Sequence, residues 1–283
     1  MIQSMTGYGK SIIQLDTKKI SLEVKSLNSK NLDINTRFPG VYKEKEIEVR
    51  KLIASNLVRG KVDMSFYIES TAVETSTKIN KEVVANYISQ LESIHQEADI
   101  LSIAMRLPDV LKTEREEFDV KEWGIIEKGI QEAIDNLQEY RLSEGKELRN
   151  DFEHRIAILQ KKLEEVISLD TDRLDQVRER LKKAIKDLEQ TVDENRFEQE
   201  LIYYLEKLDI TEEKVRLTNH LNYFVQELEV NVSNGKKLGF ISQEIGREIN
   251  TIGSKANFAP MQKVVVEMKD ELEKIKEQLL NVL

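Results

Sequence analysis

The sequence predicts an α+β protein with a small N-terminal β-sheet and helix, a long-helix, coiled-coil-like region, and a C-terminal helical domain. In the first seventy residues apolar and polar positions alternate, whereas from Lys81 onward apolar residues recur every three or four positions. A content of 34% charged and 6% aromatic residues suits long solvated helices better than a compact sandwich. The predicted domains are residues 1–122, 123–208 and 209–283.

In the first domain, the stretch 20–24 alternates apolar and polar side chains, which predicts a strand with one buried face. The Ser- and Asn-rich stretch 26–31 predicts a turn. Residues 41–58 have the spacing of an amphipathic helix, and 61–70 predict a final strand. A small sheet with a helix packed on it is therefore expected.

The second domain, 123–208, is predicted to be a long charged arm. Its apolar stripes indicate helices that bury one face, and Leu169-Asp170-Thr171-Asp172 predicts a break between them. Two interpretations remain open: an antiparallel helical hairpin within one subunit, which is slightly favoured, or an arm used in assembly. The stripes consist of Ile156, Leu159, Leu163 and Val166, then Leu174, Val177, Leu181, Ile185 and Leu188.

The composition excludes several classes of site. Without cysteine there is no disulfide, thiolate nucleophile or cysteine-based zinc site. No uncharged apolar stretch approaches the roughly 18 residues of a membrane span, so a cytoplasmic protein is expected. The net charge of -9 argues against a polyanionic partner, but residues 1–70 hold 12 Lys and Arg against 8 Asp and Glu. The acidity lies in the middle of the chain, and the two ends could therefore still form a surface that tolerates phosphates.

Two predicted helices in the third domain carry the polar side chains that are best suited to catalysis or binding. The first covers about 211–230 and is predicted to stop at Gly235; the second covers about 237–256. Beside the buried stripe of the first lies a row with Arg216 and His220. The second carries two rows, which are Glu244, Glu248, Thr251 and Lys255, and Gln243, Arg247, Asn250 and Ser254.

These rows could act on RNA in two compatible ways. Glu244 and Glu248, one turn apart, could share a hard divalent ion such as Mg²⁺ or Mn²⁺. His220 could instead take a proton from a 2′-hydroxyl or from water, with Arg216 or Arg247 holding the phosphate. Spacing alone favours a plainer interpretation, in which the acids and Arg247 form an intrahelical charge set and His220 is structural.

Seven segments along the chain resemble the YicC/YloC family. Together they span the chain, and the likeness is weakest over about 155–196. They are SMTGYG at 4–9, EVKSLNSKNLDINTRFP at 23–39, RGKVD at 59–63, RLPDVL at 106–111, EGKELRNDF at 144–152, DITEEKVRLTNHL at 209–221 and GKKLGFISQEIGREINTIGSK at 235–255.

The resemblance implies an endoribonuclease that depends on a divalent metal, Mn²⁺ or Mg²⁺, and assembles as a hexamer around RNA. Matched residue by residue, it places catalytic roles on His220, Glu244 and Glu248, with both glutamates as metal ligands. The positions implied for substrate or phosphate binding are Arg216, Gln243, Arg247, Asn250, Thr251, Ser254 and Lys255.

The chain departs from the family pattern at its end, where Lys276 replaces an arginine and the terminal acid is missing. We expect this end to be a packing helix, because apolar residues from Val264 to Val282 form one stripe. A second function class stays open beside the nuclease. In it the protein is an oligomeric RNA-binding adaptor without catalysis, which delivers transcripts to another nuclease.

Overall fold

The computed structural model describes residues 2–70, 77–94, 99–113, 118–186, 194–230 and 232–283, and it is an α+β fold as predicted. The elements in chain order are β1 Gly7–Gln14, β2 Lys18–Leu27, β3 Leu32–Arg37, a 3₁₀ helix Gly40–Lys45, α1 Glu46–Asn56, β4 Gly60–Ser70, β5 Thr77–Ile79, α2 Lys81–Glu92, α3 Ile100–Ala104, β6 Leu111–Thr113, α4 Val120–Lys186, α5 Glu194–Lys207, α6 Thr211–Leu228, α7 Gly235–Lys255 and α8 Ala259–Leu279.

The N-terminal sheet has the strand order β1-β2-β4-β3. The β1–β2 and β2–β4 pairs are antiparallel, whereas β3 runs parallel to β4. The predicted alternation is confirmed, because Ile20, Leu22 and Val24 lie on the buried face with Val62 and Met64 of β4. This face packs against α1 and the first part of α4.

The helix predicted over 41–58 is a 3₁₀ turn followed by α1. Because the 3₁₀ segment advances by three residues per turn, the buried face shifts relative to a regular helix. Tyr42, Val49 and Ile53 are buried, whereas Ile47 and Val58 are exposed.

The predicted break at residues 169–172 is wrong, and so is a hairpin turn at that point. Helix α4 runs without interruption for 67 residues. Asp170 does not cap a helix end: it is buried, accepts from Nε of Arg173 at 2.8 Å and pairs with Nζ of Lys214 on α6 at 2.7 Å. The acid therefore has partners on the inner side of a continuous helix. Leu188 lies outside the described residues.

Helix α4 contributes to two hydrophobic cores. Its N-terminal part joins the sheet core, and its middle joins a second core with α6, α7 and α8. The chain ends also connect the two halves: the Met5 amide donates to the Asn281 carbonyl at 2.7 Å, and Arg59 Nη2 donates to the Val282 carbonyl at 2.7 Å. Since α4 belongs to both cores, the division at residues 122 and 208 stays a prediction.

The predicted packing of the C-terminal end is confirmed. The inner face of α8 is buried in the second core, and Val282 follows it there. The predicted helix stop at Gly235 is wrong, because α6 ends at Leu228 and Gly235 is the first residue of α7. A Cβ at Gly235 would lie 2.5 Å from the Val282 carbonyl oxygen, so this glycine allows the chain end to approach the helix.

Candidate active site on helices α6 and α7

Helices α6 and α7 form an antiparallel pair on the second core. The side chain of Asn234 accepts from the Lys237 amide at 3.1 Å and so caps the start of α7. Each helix buries an apolar stripe, and the stripes pack against each other, α4 and α8. The stripe residues are Leu217, Leu221, Phe224 and Leu228 on α6, and Leu238, Ile241, Ile245, Ile249 and Ile252 on α7.

Two ion pairs between the helices fix their register. Near the α7 N-terminus, Nζ of Lys237 lies 2.6 Å from Oε2 of Glu227. This hydrogen bond is the main cause that raises the pKa of Lys237. At the other end, Nζ of Lys255 lies 2.7 Å from Oε1 of Glu213 and donates to the Asp209 carbonyl at 2.9 Å. The line of contact that these two pairs bracket is called the α6–α7 seam below.

The register places His220 level with Glu248. His220 follows Glu213 by two helical turns on α6, and Glu248 precedes Lys255 by two turns on α7. Glu213 lies opposite Lys255. Because the helices are antiparallel, two turns along each of them bring His220 opposite Glu248. Glu244 lies one turn further along the same row. Within the described part of the chain, no hydrogen bond or ion pair joins His220 to either glutamate.

Glu248 is a buried acid without a partner among the residues that the structure describes. It is 8% exposed, and among the described residues it has no hydrogen bond and no ion pair. Both oxygens of Glu248 keep some contact with solvent. Oε2 of Glu213, in contrast, is closed to solvent and has no hydrogen-bond partner among the described residues. A largely buried carboxylate without a partner in the protein can bind a cation or a hydrogen-bond donor that arrives from solvent. The seam therefore holds an acid that a ligand could satisfy.

Glu244 is engaged differently from Glu248. Its Oε1 lies 2.7 Å from Nη1 of Arg247 on the same helix, and both side chains are well exposed. The charge-set interpretation thus describes Glu244 and Arg247, and Glu248 takes no part in it. Arg216 likewise pairs with Glu212 one turn before it on α6.

The structure separates the two polar rows predicted on α7. Glu248 and Lys255 face α6, whereas the second row points to solvent. Ser254 of the second row donates to the Thr251 carbonyl at 2.9 Å, and Thr251 of the first row donates to the Arg247 carbonyl at 3.0 Å, so both hydroxyls are satisfied within the helix. The exposed members of the second row are Gln243, Arg247, Asn250 and Ser254.

Comparison with known proteins identifies the family to which this geometry belongs. The model of the endoribonuclease YicC-like N-terminal region matches residues 2–150, and the model of the endoribonuclease YicC-like C-terminal region matches residues 166–283. The chain belongs to the YicC-like family. The match over 166–283 includes all of α6 and α7.

Two relatives align with this YicC-like chain over its full length and over their own. One is a protein of Clostridioides difficile (strain 630), named probable endoribonuclease YicC, with 33% identity. The other has the same name, comes from Haemophilus influenzae (strain ATCC 51907 / DSM 11121 / KW20 / Rd), and is 29% identical. In the described part of this family member, no helix is long and apolar enough to cross a membrane.

Sequence reasoning missed Glu213 as a member of the seam. As an acid in the first turn of α6, Glu213 occupies a position where acids commonly stabilise a helix N-terminus. It is only 6% exposed, however, and lies one turn before Leu217 on the buried stripe. Extending that stripe backwards by one turn would have found it.

The two glutamates of α7 suit a cation that the substrate helps to hold. No group of three or more His, Cys, Asp or Glu able to hold a metal occurs among the residues described. Mg²⁺, however, is commonly bound by one or two carboxylates, with water and substrate phosphates completing its shell. Unpartnered Glu248, with Glu244 one turn away, fits that kind of open site and does not fit a closed structural one.

Proposed function

We propose that this protein is a metal-dependent endoribonuclease that cleaves RNA phosphodiester bonds at the α6–α7 seam. The observation that carries the proposal is Glu248, a buried acid without a partner, level with His220 and one turn from Glu244. The names of the two relatives support the same activity. A cysteine-free chain suits the reducing cytoplasm, where we propose that it acts.

In this proposal His220 removes the proton of the attacking hydroxyl, which belongs either to water or to the adjacent ribose. An Mn²⁺ or Mg²⁺ held by Glu244 and Glu248 would supply positive charge to the phosphate oxygens. Arg216 and Arg247 would hold the phosphate, because within the described part of the chain each is paired only with an exposed acid of its own helix. Exposed pairs of this kind contribute little energy, so a phosphate can replace the acid.

Lys255 has a more restricted role in the proposal. Its ammonium group has three donors, and Glu213 and the Asp209 carbonyl use two of them. One donor remains for an RNA phosphate while Lys255 stays in place. Gln243, Asn250, Thr251 and Ser254 lie on the outer face and would contact RNA beyond the reacting phosphate.

We further propose a hexamer as the working form. The family resemblance supports it, and the test is direct: light scattering on the purified protein should give a mass six times the chain mass of 32.9 kDa. A monomeric mass at assay concentration would contradict the hexamer without affecting the site.

The central test is cleavage of a labelled, structured RNA by purified protein with Mn²⁺ or Mg²⁺, with EDTA, and with Glu248→Ala in parallel. Internal cleavage that requires the metal and disappears in the variant would support the enzyme. Product ends separate the two routes, because attack by the ribose leaves a 2′,3′-cyclic phosphate and attack by water does not. Binding without cleavage under every metal condition would favour the adaptor, with the seam as an RNA-holding surface.

A further inference from the structure

Two aromatic rings lie exposed at the edges of the α6–α7 seam. Tyr223 on α6 is 41% exposed, and Phe240 on α7 is 56% exposed, so neither contributes its full area to the core. Tyr223 follows His220 by three residues, and Phe240 precedes Glu244 by four. Because the helices are antiparallel, both rings are displaced from the candidate site in the same direction, towards the start of α7.

The ring of Tyr223 has an anchored cation beside it. Nζ of Lys237 lies 5.1 Å from the centre of this ring and is itself bound to Glu227. Cation–π contact and the interhelical ion pair therefore hold the ring at the border of the seam. An aromatic side chain fixed in this way loses little conformational freedom when a planar ligand stacks on it.

Two arginines near the rings suit a polyanion as the occupant, because each is paired with an exposed acid that a phosphate can replace. Arg216 lies two turns before Tyr223 on α6, and Arg247 lies about two turns after Phe240 on α7. A nucleic acid strand along the seam would therefore meet guanidinium groups near the reacting phosphate and aromatic rings beside them. This alternation of cation and aromatic side chain is typical of surfaces that bind single-stranded nucleic acids.

We propose that Tyr223 and Phe240 form a stacking site for an unpaired base next to the reacting phosphate, and that this site makes the protein select single-stranded RNA. The position next to a reacting phosphate rests on the proposed nuclease function, whereas the binding site itself does not. Bases in a duplex are already stacked on both faces and cannot reach the rings. Stacking on an aromatic side chain contributes about 1–3 kcal/mol per base, or roughly a 5- to 150-fold change in affinity.

The test measures binding by fluorescence anisotropy in EDTA, so that no cleavage is needed. Three RNAs are compared: an unstructured strand, the same strand in a duplex, and the same strand with abasic sites. Tyr223→Ala and Phe240→Ala should each weaken binding of the single strand by about 5- to 150-fold and leave duplex and abasic RNA unaffected. Phe240→Trp should bind like the wild type, because it keeps a stacking surface.

The matched control is Tyr67→Ala, which removes a tyrosine that is 53% exposed on the N-terminal sheet. It should leave all three affinities unchanged. Equal binding of the single strand by Phe240→Ala and wild type would overturn the proposal. So would a lower mass of Phe240→Ala in light scattering with unchanged affinity, since Phe240 would then be a contact between copies of the chain.

The outcomes also separate this inference from the proposed function. If the wild type cleaves no RNA under any metal condition but the two alanine variants still weaken single-strand binding, the stacking site stands and the nuclease fails. If cleavage depends on Glu248 but proceeds equally on single-stranded and duplex RNA in all variants, the nuclease stands and the stacking site fails.

Discussion

Arg141 in the N-terminal half and Glu248 in the C-terminal half are both buried charged side chains, but their surroundings differ. Arg141 is 3% exposed and donates from Nη2 to the Met5 carbonyl at 3.1 Å and to the hydroxyl of Ser26. Burial lowers the pKa of Arg141 to about 10, which still leaves it protonated at neutral pH. Nε of Arg141 has no partner among the described residues, but Nη2 is bound, whereas neither oxygen of Glu248 receives a hydrogen bond there.

The difference suggests two uses for the motifs that run along the chain. Around Arg141, the segments 4–9, 59–63 and 144–152 meet and connect the first strand, the sheet and α4. These residues fix packing. On the α6–α7 seam, the motif residues leave a buried acid available to a ligand. A resemblance over the whole chain thus combines structural and chemical motifs, and only the contacts distinguish them.

The largest effect is expected for Glu248→Gln. Because the change removes the seam's unpartnered acid, cleavage should fall by about 10²- to 10⁴-fold. The free energy of unfolding should change little, because Glu248 has no hydrogen bond or ion pair to lose among the described residues. Single-turnover cleavage and urea unfolding measure the two quantities. A variant that unfolds more easily and retains activity would make Glu248 a structural residue.

The opposite result is expected at Gly9. A Cβ there would lie 1.9 Å from the Ala133 carbonyl oxygen of α4, so strand β1 could not approach the helix. Gly9→Ala should lower the free energy of unfolding by about 2–5 kcal/mol and leave the cleavage rate per folded molecule unchanged. Gly124→Ala is the control, because a Cβ there meets nothing within 4 Å. It should be neutral or stabilise α4 by up to about 1 kcal/mol.

A variant at Glu213 should affect both quantities. Glu213→Gln removes the charge that holds Lys255, so the register of α6 and α7 should loosen at one end. We expect a loss of about 1–3 kcal/mol in stability and a roughly 10- to 100-fold slower cleavage. Glu212→Gln breaks an exposed pair on α6 instead and should change stability by less than about 0.5 kcal/mol. Equal effects of the two variants would contradict the role of the seam pair.

The sequence predicted the fold class and the buried stripes well, because alternation and helical periodicity directly follow burial. Ile20, Leu22 and Val24, and later Ile156 and Leu159, were recognisable in this way. Prediction from the sequence failed where a polar residue has a partner far away in sequence. Asp170 was assigned to a helix break, because its partner Lys214 is 44 residues away and cannot be recognised from spacing.

The candidate site shows the same limit. Spacing placed Glu244 and Glu248 in one row and gave them equal weight. The environment differs between them, since Glu244 pairs with Arg247 whereas Glu248 is buried and has no ion pair among the described residues. Gly235 was taken for a helix stop, because the close approach of Val282 depends on tertiary structure. Periodicity identifies the buried face of a helix, but only the contacts show which polar side chains beside it form hydrogen bonds or ion pairs.

The smallest effect is expected at Glu271, which lies on α8 away from the seam and contacts Nη1 of Arg155 on α4 at 3.0 Å. Lys274 first and Arg155 next lower the pKa of Glu271 below its ordinary value of 4.5. A lowered carboxyl pKa contributes stability that is present above the unfolded value and is lost as pH falls through the folded one.

Glu271→Gln should therefore lower stability at pH 7 by up to about 1 kcal/mol and flatten the loss of stability below about pH 4.5, with cleavage at pH 7 unchanged. Urea unfolding between pH 3 and pH 7 measures this. Glu273→Gln breaks an exposed pair with Lys276 on the same helix. It should lose stability at acid pH in the same way as the wild type. If Glu271→Gln slowed cleavage as much as Glu213→Gln, the catalytic effect of Glu213 would reflect general stability of the bundle and not the register of the seam.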